Sequence, residues 1–348
     1  FYSLTKPLKS CKNLVVSLST LFILLYFSFI STFVSAEVGK TYSLRSSEFT
    51  YRNEGEKEKA ESQALKMLQK SYQRFPDVDN CYAGKVTELE KRRALKELNL
   101  IRQAHGLEAV GYDETKDRFT TASALISSAN RLLDHYPSSR LKCYSKDGYE
   151  GSRHSNMHLT SDYIVFLPEN FAEKVIDELI IDDNVFSLGH RLWFLDPFLG
   201  DISYGRVTHV DNHQRVADAV SIYISNTRQN IINTKADYIA YPDKNYPSNW
   251  FTLDWFHFSV IADKSSREKN ITSVNYANAS VSVRSADGRT MRVHSIKYTD
   301  PNKDKDYMGL GNHIQWRVDG LQKNKKYSLF GVLDKTKTSM GARMLRKW

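Results

Sequence analysis

The densest run of chemically useful side chains is Ser187-Leu188-Gly189-His190-Arg191-Leu192-Trp193-Phe194-Leu195-Asp196-Pro197. It sets an imidazole beside a guanidinium, with a carboxylate a few residues on. Imidazole suits proton transfer near neutral pH and coordination of a metal such as zinc. Arg191 is better suited to bonding a carboxylate or backbone carbonyls than a substrate, and Trp193 and Phe194 have the character of core residues. Two other histidine pairs have i, i+4 spacing. His154 and His158 lie among Arg153, Ser155, Asn156 and Thr160, which make no helical pattern, and no Glu stands between them as a helical zinc-protease motif requires. His209 and His213 flank the turn formers Asp211-Asn212 and read as a surface loop. The sequence contains neither a glycine-rich phosphate loop nor a nucleophile elbow. Asn270-Ile271-Thr272 and Asn278-Ala279-Ser280 are glycosylation sequons, of consequence only in a source that glycosylates exported proteins.

These side chains must be positioned by the surrounding elements. Glu56-Lys57-Glu58-Lys59 opens a charged helical arm whose narrow apolar stripe is Leu65, Leu68, Tyr72 and Phe75, stopped by Pro76. From Val86 a helix is expected, with Leu89, Arg93, Leu95, Leu98, Leu100 and Ile101 on its face and Gly106-Leu107 ending it. A second is expected from Glu114 to Leu133, and a third from Glu169 to Asp182 after Pro168. Tyr204 to Val210 and Ala219 to Ile224 alternate as half-buried strands. Near Tyr238 the composition changes, and Tyr241-Pro242-Asp243 and Tyr246-Pro247-Ser248-Asn249 mark a boundary or a long surface loop. Short alternating runs follow around Phe256, Ser280, Met291, Ile314 and Tyr327, the pattern of a small antiparallel sandwich.

With 41% hydrophobic and 26% charged residues, the chain has the composition of a globular protein. The net charge is +9, but Lys6, Lys9 and Lys12 lie in the first 36 residues, which carry no acid, so the surplus from Glu37 onward is +6. Spread along the chain, that surplus is a solvated surface and not a nucleic-acid footprint, and no zinc-finger, helix-turn-helix or RNA-binding signature accompanies it. The apolar run Leu14 to Val34 after a Lys-bearing start, closed by Val34-Ser35-Ala36, reads as an export signal cleaved after Ala36. Its length also allows retention as an N-terminal anchor. Outside it the thiols are Cys81 and Cys143, an even pair that suggests one disulfide in an oxidising compartment, the alternative being two separate buried cysteines.

Several tags occur in one order: Arg92 or Arg93, Asn99, Arg102 and Gly106-Leu107; Ala129-Asn130 with Leu133-Asp134-His135-Tyr136-Pro137; Cys143-Tyr144; Ser155-Asn156-Met157; and Gly189-His190-Arg191 with Trp193, Pro197 and Tyr204-Gly205. Together they resemble the CAP superfamily (cysteine-rich secretory, antigen 5 and pathogenesis-related 1 proteins) in its bacterial form, over about Cys81 to Ile224. The Tyr-Pro loop and the aromatic stretches after it look like the C-terminal extension of large bacterial members. The resemblance implies an α+β chain: a three-layer α-β-α sandwich followed by a small antiparallel β-sandwich. The expected organisation is a signal peptide or anchor at 1–36, a helical linker arm at 37–80, the CAP domain at 81–237, a β-rich domain at 238–335 and a basic tail at 336–348.

The resemblance also implies a cleft in which two histidines and two acids converge. His135 and His190 match the histidines, and Asp182 matches one acid if Leu179 stands for the family's Trp. The position of the other acid holds only Ser155-Asn156, so the second carboxylate expected for acid–base work is missing. His135, His190 and Asp182 are the candidate ligands for a divalent metal such as zinc and, more weakly, candidate catalytic groups, with Ser155, Asn156 and Arg191 as cleft wall. The favoured expectation is a secreted, extracellular or periplasmic binding module and not an enzyme, with a protein, glycan or lipid ligand. Membrane contact is expected only through the N-terminal segment, if that segment is uncleaved. The alternatives are a sterol or lipid binder and a metal-dependent hydrolase working in the cleft.

Overall fold

The structure is a computed structural model that describes Tyr2, Ser3, Tyr51 and residues 53–227, 231–243, 246–300, 303–304, 308–322 and 326–330. The expected export segment, apart from Tyr2 and Ser3, and the expected basic tail lie outside these residues. The chain is α+β, with seven α-helices and several sheets among the described residues. No helix there is long and apolar enough to cross a membrane.

The central sheet has the order β4 (Gly111–Tyr112), β6 (Leu199–Val210), β7 (Arg215–Thr227), β5 (Ser155–Tyr163). β4 runs parallel to β6 and the other pairs are antiparallel. Strand alternation sends Ile202, Tyr204, Val220, Ile222 and Ile224 to one face, where they join the core formed with α2 (Glu88–Ala104) and α5 (Phe171–Ile181). The opposite face meets α3 (Asp117–Asn130) and α4 (Lys146–Arg153). There the contact is small and polar: Ser221 Oγ bonds Ser123 Oγ at 3.0 Å, and Ser128 Oγ donates to the Ala217 carbonyl at 2.7 Å. Gly205 permits this approach, because a Cβ at that position would run into the Thr120 backbone.

Helix α2 was legible as a helix, and Leu98 and Ile101 of its expected face are buried, but the rest of the buried face differs. Ala94, Leu98 and Ile101 are buried together with Glu90, Lys91 and Arg102, whereas Leu89 and Leu100 are exposed. The polar members are tolerated because each finds a partner. Lys91 Nζ pairs with Asp117 at 2.6 Å, Arg102 Nη1 donates to the Phe194 and Asp196 carbonyls, and Glu90 meets Arg206 at 2.7 Å. Arg206 also pairs with Asp218, and its guanidinium lies 3.8 Å from the centre of the Phe171 ring. The arm helix α1 (Glu54–Gln69) stops before Tyr72, which enters strand β2 (Tyr72–Arg74) beside β3 (Lys85–Val86). Tyr72 is buried there, its hydroxyl 2.8 Å from Thr208 Oγ1, so the arm is docked on the end of the sheet.

Beyond residue 237 the described strands are antiparallel. One sheet has the order β12 (Val293–Tyr298), β13 (Ile314–Val318), β9 (Phe256–Val260), β8 (Tyr238–Tyr241). The other is β1 (Tyr2–Ser3), β14 (Lys326–Phe330), β10 (Ser282–Ser285), β11 (Thr290–Met291). The hydrophobic core does not break at residue 238: Leu98, Ile176 and Phe194 belong to the same buried cluster as Tyr241, Phe258 and Trp316. The Tyr-Pro segment is correspondingly not a surface loop. Tyr241, Tyr246 and Trp250 are buried against one another with ring centroids 5.4 and 5.7 Å apart. Large aromatic rings drive that burial, which the prolines conceal. The Asn270 sequon is also structural, since its buried amide ties the start of α7 (Arg267–Thr272) to Ala262 and Asp263. Asn278 is exposed.

Cys81 and Cys143 form a disulfide with Cα atoms 5.2 Å apart across 62 positions of sequence. It staples the Asp77–Tyr82 turn to the loop before α4. Replacing both cysteines by Ser is expected to lower unfolding stability by about 2–4 kcal/mol in the chain-entropy account. Urea unfolding measures this, and recovery of both as free thiols from a non-reducing peptide map would contradict the pairing.

Candidate functional site

α5 ends at Asp182, which takes the left-handed conformation at φ 54° and carries a completely buried carboxylate. The chain then turns through Val185 and Leu188 into α6 (Gly189–Phe194), and His190 and Arg191 lie in its first turn. Asp182 holds that turn with both oxygens. His190 Nδ1 is 2.8 Å from Oδ1, and the Arg191 backbone N–H donates to Oδ2 at 3.1 Å. In the neutral ring this bond assigns the proton to Nδ1 and leaves the Nε2 lone pair on the side away from Asp182. The His190 side chain keeps 18% exposure, so the ring is at the edge of solvent. From the sheet side, Asn156 Nδ2 donates to the His190 carbonyl at 3.0 Å. Gly189 leaves space for Met308, whose sulfur would stand 2.9 Å from a Cβ there.

The structure thus brings together His190, Asp182 and Asn156. Ser155 lies beside Asn156 at the start of β5, but its hydroxyl is buried without a hydrogen-bond partner among the described residues. His135 is exposed in the loop after α3, and its Nδ1 bonds the Ser152 carbonyl at 2.7 Å. Among the described residues no group of three His, Cys, Asp or Glu side chains is placed to hold a metal ion. The expected set of His135, His190 and Asp182 is not such a group: Asp182 bonds His190 Nδ1 and a backbone N–H with its two oxygens, and His135 Nδ1 bonds the Ser152 carbonyl.

Arg191 is not a cleft wall. It is 1% exposed and turned inward. Nε donates to the Ile180 carbonyl at 2.8 Å, Nη2 to the Ile181 carbonyl, and Nη1 to the Trp255 carbonyl at 3.0 Å. Tyr241 lies against it with the ring centre 3.5 Å from Cζ. Asp196, the acid of the same run, is equally structural: it accepts from the Phe198 N–H and pairs with Arg267 at 2.9 Å.

A second histidine–carboxylate pair stands beside the first and was not anticipated. His158 Nε2 is 2.7 Å from Glu178 Oε2, both side chains about one-sixth exposed. Burial alone would raise the Glu178 carboxyl, but the bond and charge of His158, joined by Lys174 at 3.3 Å, hold it below its ordinary range. Asn156 and His158 share a face of β5 at two-residue spacing, and Glu178 and Asp182 are one turn apart on α5. The signal in the sequence is the alternation over 155–163, in which the residues that face α5 and α6 are polar.

No family model matches the chain. A 50-residue stretch, 13% of the chain, is 46% identical to the DNA mismatch repair protein MutS of Caldanaerobacter subterraneus subsp. tengcongensis and covers 6% of that protein. A span of that size defines neither a fold nor a family.

Asp182→Asn is expected to cost about 1–3 kcal/mol, since it removes a charge-assisted bond yet leaves a side chain that tolerates the left-handed conformation. Urea unfolding of wild type and variant reads this directly. A change within about 0.5 kcal/mol would show that the carboxylate does not hold the α6 turn.

Proposed function

We propose that the chain is an exported CAP-type binding module whose ligand site is the polar recess at His190. The observation that carries the reading is the His190–Asp182 bond at 2.8 Å, which fixes one imidazole at the solvent edge beside an amide-bearing strand. Such a ring offers a directed hydrogen bond to a ligand. The tags from Arg92 to Gly205 support the family, as does a central sheet with α3 and α4 on one face and α2 and α5 on the other, the layering of an α-β-α sandwich. The signal-like start and the disulfide support export. Binding is favoured over metal-dependent hydrolysis because the position of the second acid holds only Ser155-Asn156.

The test is a screen of the full chain against arrayed glycans, peptides and phosphatidylcholine vesicles, repeated with His190→Ala. A binder whose affinity falls about tenfold, the equivalent of one hydrogen bond of about 1.4 kcal/mol, is the expected result. A binder unaffected by His190→Ala would remove the recess from the reading. Zinc-dependent ester or peptide hydrolysis abolished by the same variant would replace binding with catalysis.

A further inference from the structure

The buried Tyr-Pro segment is clasped to the α2–α5 surface by two side chains. Trp250 Nε1 donates to Glu97 Oε1 at 2.9 Å, and Asn249 Nδ2 donates to Asp177 Oδ2 at 3.2 Å. Glu97 belongs to α2 and Asp177 to α5, and their carboxyl groups meet. Asp177 is only 8% exposed, and its Oδ1 is buried with no donor reaching it among the described residues. Two ionised carboxylates are acceptors only and repel at contact. One proton between them removes the repulsion and supplies the missing donor.

We propose that Asp177 keeps its proton against Glu97 and that the pair acts as a pH-responsive latch that seats the Tyr246–Trp250 segment on the α2–α5 surface. Of the charged groups around the pair, Lys174 opposes that proton, but by less than burial and Glu97 favour it. On α5, Lys174 pairs with Glu178 and Glu173 pairs with Arg93 of α2, while the segment itself brings the Tyr246 phenol. Burial is the main reason the Asp177 carboxyl is pushed up to about 7; the Asn249 amide offsets part of this and Glu97 adds to it.

The sign follows from the proton count. Between the ordinary carboxylate range near ~4 and about 7, the seated state holds a proton that the released state does not, so seating weakens as pH rises across that window. His105, whose Nε2 lies 3.0 Å from the Tyr246 hydroxyl, has the opposite slope. Burial pushes its imidazole down to about 3, with Arg102 and Arg191 adding to the effect, so it contributes stability that is lost as pH falls below its ordinary value near ~6.5. Loosening towards neutral pH is therefore the mark of the carboxyl pair. Release would reach further, since the Tyr241 hydroxyl donates to the Trp250 carbonyl at 2.6 Å and its ring covers Arg191.

Hydrogen exchange of the full chain, read by mass spectrometry on peptides from 241–250 between pH 5 and 8 and corrected for intrinsic rates, tests the latch. Wild-type protection divided by that of Asp177→Asn, a ratio in which the His105 slope cancels, is expected to fall by up to about tenfold per pH unit and to level off above about 7. Glu97→Gln, which puts a permanent N–H donor where the proton lies, is expected to make that fall shallower. A ratio that does not change with pH, or a Glu97→Gln profile identical to wild type, would overturn the proposal.

Discussion

The Arg191 guanidinium is the interaction on which the arrangement turns. A buried cation is costly unless its donors are matched, and here they meet the carbonyls of Ile180, Ile181 and Trp255. Ile180 and Ile181 belong to the last turn of α5, where carbonyls lack intrahelical partners and the helix dipole favours positive charge. Trp255 belongs to the part of the chain that carries the C-terminal sheets. One planar fork therefore closes a helix, binds the second half of the chain to the first and, through its own backbone N–H on Asp182, fixes the turn that presents His190. Lysine could not replace it, because a single ammonium lacks the divergent donors and the flat face that Tyr241 covers.

α5 and its cap distribute their acids in two directions. Glu173 and Asp177 face α2, while Glu178 and Asp182, one turn apart, face His158 of the central sheet and His190 of α6. Their spacing follows from the helix: neighbours differ by about a quarter turn or more, and residues four apart return to one side. The turn that presents His190 and the seat of the aromatic segment thus lie on different sides of one short helix. Arg191 and Tyr241 connect them physically.

The sequence made the regular elements legible wherever burial was apolar. The expected 169–182 helix is α5 with a difference of two residues at its start and one at its end, and the alternations at Phe256 and Ile314 are β9 and β13. Legibility failed where polar groups are buried in pairs. The inner face of α2 includes Glu90, Lys91 and Arg102, whose partners come from other segments, so apolar counting found Leu98 and Ile101 but added the exposed Leu89 and Leu100. Strand β5 was missed because hydroxyls and an amide occupy its inward positions. His190 and Asp182 were identified and do meet, whereas His135 turns to Ser152, and His158 with Glu178 takes a place that only the fold reveals. Tyr241, Tyr246 and Trp250 resembled a loop because prolines punctuate them, although their rings fill the core.

The central claim is that Arg191 makes the helical part and the C-terminal sheets one cooperative unit. Urea unfolding of Arg191→Lys, followed in parallel by far-ultraviolet circular dichroism and by tryptophan fluorescence, tests it most directly. Trp250, Trp255 and Trp316 all lie after residue 237 and weight the fluorescence towards the C-terminal part. Wild type is predicted to give coincident transitions. The variant is predicted to lose about 3 kcal/mol or more and to show fluorescence changing at lower urea than the dichroism. Coincident transitions in the variant, with a midpoint matching wild type, would contradict the account.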